Sequence, residues 1–180
     1  MREYGLCFVR QLVVGLALCV FAACSEDAPG SAGSSDLSRQ AAAIPVHAKL
    51  SQHELFTDLS AKGAELTPVR GVPYRLKTPL FSDYSLKYRV LHLPEGSQAE
   101  YAEREVFRFP VGTVISKTFS FPADLRKPEE AVRRIETRLL IHQPKGWFAV
   151  SYVWNEAQTE AEVAYGGKVE KMRLTDQDGQ

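Results

Sequence analysis

Three textures of apolar and polar positions follow one another along the chain. Leu12 to Ala23 is an unbroken apolar run, Ser25 to about Ala43 shows no apolar period, and Ile44 to about Leu174 alternates aromatic and β-branched residues with turns. The third texture opens with helix punctuation. Ser51 suits an N-cap, Glu54 stands at the third helical position as in a capping box, and Leu50 and Leu55 can staple around the cap. Leu55, Phe56 and Leu59 then form one stripe, and Gly63 stands where a helix should stop. The pattern predicts one short helix packed on a larger body, with His53 exposed and solvated.

After Thr67 the period becomes two, as in half-buried strands. Leu86, Tyr88 and Val90 alternate with Lys87 and Arg89 over 85–93, and Pro94-Glu95-Gly96 ends the run. Val106 to Phe109 leads into the turn Pro110-Val111-Gly112, after which Thr113 to Phe121 sets Ile115, Phe119 and Phe121 on one side. Pro122 to Glu130 reads as an exposed connection. In 135–141, Ile135, Thr137, Leu139 and Ile141 share a face, with Glu136 and Arg138 on the other. Trp147 to Trp154 is apolar on both faces, which predicts a central strand covered on both sides. Ala161 to Tyr165 and Lys168 to Leu174, joined by Gly166-Gly167, predict a hairpin. At least six short strands with one peripheral helix predict a mainly β fold, an antiparallel β-sandwich or open barrel with one short N-terminal helix.

The amino-terminal texture changes the compartment. Arg2 and Arg10 supply a basic head, the apolar run is too short to span a bilayer, and Phe21-Ala22-Ala23 precedes Cys24. This is the pattern of a bacterial lipoprotein signal, 1–23, cut so that Cys24 becomes the lipidated first residue. An ordinary secretory signal leaving Cys24 as a thiol, or an uncleaved anchor, are the other readings. Ser25 after the cysteine is the outer-membrane pattern, so the domain is expected on the outer membrane, facing the periplasm. Residues 24–43 then form a flexible Gly/Ser-rich tether, and 44–180 a single β-rich domain.

Composition narrows the chemistry. The three cysteines, Cys7, Cys19 and Cys24, all precede the domain, which argues against disulfides, a cysteine-zinc site or covalent haem in it. Net charge is zero and the longest basic block is Arg133-Arg134, so nucleic acid is not expected as a partner. No nucleophile elbow, phosphate loop, dinucleotide fingerprint or zinc-protease pair is present.

The candidate chemistry is correspondingly thin. His47, His53, His92 and His142 are scattered; His92 and His142 near strand ends can meet across a sheet, but partly exposed imidazoles are the plainer reading. Glu136 and Arg138, with Lys117 on a neighbouring strand, make either a functional charge row or an ordinary cross-strand cluster. Trp147, Tyr152, Trp154 and Asn155 can form a sugar platform, or Tyr152 and Trp154 can belong to the core with Phe148 and Val150. A hydrolase built around Asp83 and Glu136 is a remote alternative. Asp83 and Tyr84 close the dense segment Thr78 to Tyr84, a candidate ligand or partner surface that turn chemistry explains equally well.

That segment belongs to a longer series: Pro73 to Tyr84, Lys87 to Arg89, Phe107 to Thr113, Lys117 to Phe119, Ile135 to His142 and Tyr152 to Glu156. In this order and wording the series resembles the N-terminal β module of a family of exported bacterial proteins described as dihaem c-type cytochromes. The resemblance covers nearly the whole folded region. It implies a haem-bearing C-terminal part with Cys-x-x-Cys-His attachment, which this chain does not reach before Gln180. The expectation is therefore a non-catalytic envelope lipoprotein module, the truncated N-terminal part of an electron-transfer protein, with no cofactor of its own. Its partners would be the membrane, through the lipid, and a haem domain or envelope redox protein. A stand-alone glycan- or partner-binding β domain is the alternative.

Overall fold

The structure, a computed structural model, describes residues 2–7, 43–166 and 168–179. Cys24, the apolar run and the tether as far as residue 42 lie outside the described residues. The described residues form eight strands, in chain order β1 (Arg2–Cys7), β2 (Val72–Pro73), β3 (Leu86–His92), β4 (Val114–Phe121), β5 (Arg133–Gln143), β6 (Gly146–Trp154), β7 (Ala161–Val163) and β8 (Val169–Leu174). Strands β2 to β7 form one six-stranded antiparallel sheet in sequential order, and β1 pairs with β8 in a separate two-stranded sheet. The fold is mainly β, and the large sheet is open and does not close into a barrel.

Register sorts the side chains into two faces, since residues directly opposite across a sheet share one. On the inner face Val90, Ser116, Leu139 and Val150 make one row, and Tyr88, Thr118, Thr137 and Tyr152 the next. This face holds the main core, in which Leu139, Ile141, Tyr152, Trp154 and Ala161 pack with Leu50 and Leu66. Its cover is no second sheet but an irregular strap, 43–75, from which Ile44, Val46, Leu55, Phe56 and Leu59 also reach the core. Burying each large apolar side chain contributes about 1.5–3 kcal/mol, so the strap is integral to the domain.

The predicted helix does not form. Only a 3-10 turn exists, Leu50–His53, and Glu54 leaves it in the left-handed region at φ 53°. Ser51 caps nothing; its N–H and Oγ–H both donate to the Glu160 carboxylate, at 3.2 and 2.6 Å. Beyond Glu54 the backbone pairs with 67–69, through Thr57 N–H to the Thr67 carbonyl and Val69 N–H to the Leu55 carbonyl. Long-range pairing thus overrides the local helix signals, yet Leu55, Phe56 and Leu59 still bury their stripe.

Three further expectations change. Phe119 faces Glu136 while Ser120 faces Arg134, so Ile135 is an inserted bulge residue. It leaves the face of Thr137 and Leu139 and packs instead with Phe121, Met172 and Leu174 in a second cluster on the outer face. The hairpin expected at Gly166-Gly167 is absent, because β7 pairs with β6 while β8 pairs with β1. Strand β6 is not covered on both sides: Trp147, Phe148 and Ala149 are exposed, and burial begins at Val150. Residues 106–109 contribute only an isolated bridge, Glu100 to Arg108. Strands β3 and β4, and β5 from Glu136 onward, follow the predicted alternation, and 122–130 is a connection of turns and bends with one bridge, Asp124 to Thr175.

Candidate functional site

Between the strap and the inner face lies a cleft of about 260 Å³, lined by Phe56, Glu65, Leu66, Pro73, Tyr74, Arg75 and by Lys87 to Val90, with Ser116 and Thr118 at its floor. Strand alternation explains the floor. The inner-facing positions of β4 are Val114, Ser116, Thr118 and Ser120, so a ladder of hydroxyls runs along the inner face. Most of the ladder is hydrogen-bonded, as buried polar groups must be. Thr118 Oγ1 is 2.9 Å from Thr137 Oγ1, which in turn accepts from the Trp154 indole N–H at 3.0 Å. Among the described residues, Ser120 Oγ has no partner.

His92, buried beside the cleft, is fixed by its neighbours. Its Nδ1 lies 2.9 Å from the Arg70 carbonyl, which only accepts, so Nδ1 carries the proton; Nε2 lies 3.2 Å from Ser116 Oγ, whose hydroxyl also faces the Val90 carbonyl at 3.4 Å. Burial lowers its pKa, against the opposing pull of the Arg70 carbonyl. The strap comes so close here that a Cβ on Gly71 would stand 2.7 Å from Val90 Cγ1 and 2.9 Å from His92 Nδ1. At the cleft wall, burial raises the pKa of Tyr74, and burial with Glu129 and Glu65 raises that of Tyr88. Both phenols therefore stay protonated and able to donate. Glu65 and Arg75 pair at 3.6 Å on the exposed rim.

The residues singled out in the sequence are placed elsewhere. Tyr152 and Trp154 are 0% and 3% exposed, whereas Trp147 at the opposite end of β6 is 41% exposed, so the four-residue sugar platform is not assembled. Asn155 is exposed, and its amide is spent on the loop that follows, Oδ1 accepting from Thr159 N–H at 3.0 Å. Asp83 and Tyr84 sit at φ 44° and 61° in a turn closed by the Ser85 N–H to Ser82 carbonyl bond of 2.8 Å. Side chains rarely adopt these angles, least of all a tyrosine. The Phe81 and Tyr84 rings meet edge to face at 5.1 Å, and Lys87 Nζ donates to the Leu80 carbonyl. Turn chemistry accordingly accounts for the segment's composition, while Leu80 and Phe81 remain exposed.

Glu136 is buried, with its two oxygens taken by Arg138 Nε and Nη2 at 2.8 and 3.0 Å. Asp83 is exposed in its turn. No group of three His, Cys, Asp or Glu able to hold a metal occurs among the described residues. His142 stacks on Trp147, its cross-strand partner, with ring centroids 4.5 Å apart.

His53 departs from its expected exposure. Its Nε2 is 2.7 Å from Tyr152 Oη, and the Tyr152 hydroxyl donates to the His47 carbonyl at 2.8 Å. The single phenolic proton being committed, His53 Nε2–H must be the donor to Oη. Burial, then the nearby His47 ring, lowers the His53 pKa to about 4, and burial raises Tyr152 to about 12.

Compared with family models, curated proteins and solved structures, the chain finds no match in any of the three.

Proposed function

We propose that this protein is a non-catalytic binding module of the bacterial cell envelope, lipid-anchored at Cys24 in the outer membrane and facing the periplasm. It works as the N-terminal part of a c-type-cytochrome-like electron-transfer protein, with haem carried by another part or partner and none held in this domain. The cleft is the observation that carries the binding role: it joins an aromatic wall, two phenol donors and a hydroxyl floor in one concave site. Two segments of the cytochrome-like motif series, 73–84 and 87–89, meet at this cleft. That convergence supports placing the partner there.

A photo-crosslinking residue in place of Arg75, on the cleft rim, tests the reading in cells. The expected product is an adduct that carries covalent haem. Adducts without haem would sink the cytochrome reading. Labelled palmitate should enter the chain and be lost in Cys24→Ala.

A stand-alone glycan-binding role is the second reading, favoured by the combination of Phe56 with the phenols of Tyr74 and Tyr88. Oligosaccharide binding abolished by filling the cleft with Ser116→Leu, at unchanged folding, would select it.

A further inference from the structure

The outer face of the large sheet is ordered in rows, and of these Lys87 and Arg89 also border the cleft. Leu91, Ile115, Leu140 and Ala149 stand opposite one another across β3 to β6, and the next row is Arg89, Lys117, Arg138 and Ser151. Three cations thus occupy directly opposed positions on three neighbouring strands, an arrangement that like-charge repulsion disfavours. Lys87 adds a fourth one row further on, opposite Phe119. The carboxylate in this group, Glu136, has both oxygens on Arg138. Among the described residues, none donates a hydrogen bond from the Arg89 or Lys117 side chain to a carboxylate. Lys117 Nζ lies 4.4 Å from the Phe119 ring centroid, which holds the ammonium over the face. Partial burial, then Arg89, Arg138 and Lys87, lowers its pKa, while Glu136 pulls it up.

Packing reaches this face at two places. At one, Met172 and Leu174 of β8 lie on Phe121 and Ile135. At the other, Phe109 from the 94–112 connection packs edge-on against Trp147 at 6.1 Å. Between them the apolar and basic rows form a floor on which Leu140 is 37% exposed. Two residues along a strand advance about 6.7 Å, so the rows set hydrocarbon and positive charge one short step apart.

We propose that this floor binds a monomeric anionic amphiphile, its phosphate or carboxylate on Arg89 and Lys117 and its hydrocarbon along Leu91, Ile115 and Leu140 toward Trp147. Charge complementarity selects the anion, and the adjoining apolar row requires that the anion carry an alkyl body. Packing raised at both ends suits an enclosed single molecule better than a flat bilayer. The apolar row lies on the opposite face from the cleft, and Arg89 borders both.

The test is a titration of the full chain, in detergent-free buffer, with dodecyl phosphate below its micellar concentration, followed by tryptophan fluorescence and calorimetry. One saturable site is expected, with an emission change that disappears in Trp147→Phe while the heat of binding persists. The double variant Arg89→Gln/Lys117→Met should bind at least tenfold more weakly, and its urea midpoint should hold or rise because repulsion is relieved. Dodecanol binding as tightly as dodecyl phosphate would overturn the proposal, as would unchanged binding by the double variant. So would binding to phosphatidylglycerol vesicles without binding to the monomeric amphiphile, which would mark a membrane contact.

Discussion

Single residues set the tolerances of this domain. Gly71 has no room for even a methyl group between Val90 and His92, so Gly71→Ala should destabilise by about 1–3 kcal/mol, the usual cost of overpacking. Urea unfolding checks this, and the His92 ring resonances should shift with it. His53 carries a pH dependence of defined sign. Its folded pKa of about 4 lies below the unfolded 6.5, so between these values the unfolded chain binds the proton that the folded one refuses. Its contribution to stability is therefore complete above about pH 6.5, lost as pH falls toward 4, and constant below that. Because the ring is half exposed, the loss is discounted to about 1–2 kcal/mol. His53→Gln should flatten unfolding curves over that window, and an unchanged slope would contradict the assignment. Arg134 shows the other side of burial: Nη2 donates to the Leu59 and Gln158 carbonyls at 2.9 Å each and the guanidinium lies over Trp154, while Nε and Nη1 have no partner among the described residues.

At the level of elements, legibility followed the range of the interaction. Strands β3, β4 and β5 were readable because alternation is a property of each segment alone. The helix signals from Ser51 to Gly63 mislead because they are equally local, and they lose to pairing with 67–69. The bulge at Ile135 leaves no mark in composition; only the opposed strand reveals that one residue is extra. The expected hairpin failed because two glycines permit a tight turn without specifying which strands will pair. The cleft was illegible for a related reason, since its walls come from 56, 65–66, 73–75 and 87–90 and converge only when the strap crosses the sheet. Strand β1 makes a prediction of its own. Arg2–Cys7, the head of the expected leader, pairs along the whole of β8, so cleavage before Cys24 would remove that partner. Amides of β8 that β1 satisfies should then exchange much faster in a 24–180 chain than in 1–180. Equal protection in the two would show that β1 contributes nothing to β8.

For the whole molecule, the sequential order of β2 to β7 contrasts with the strap. Each strand of the sheet lies beside the one before it, whereas the strap reaches across to the far end: Lys49 bridges Glu162, Val163 N–H donates to the Ala48 carbonyl, and Ile44 is clasped from both sides by Gln143. Time therefore enters the architecture. On the ribosome the strap as far as Gly71 emerges ahead of every strand of the large sheet, yet the surface that receives it is complete only after β7 has been made. Until then Leu50, Leu55, Phe56 and Leu66 have no apolar face to cover, and such interim exposure is where aggregation and chaperone capture act. The first part of the domain to be synthesised is thus the last to settle, and a cell making this protein must shelter its core-forming strap for the length of the chain that follows.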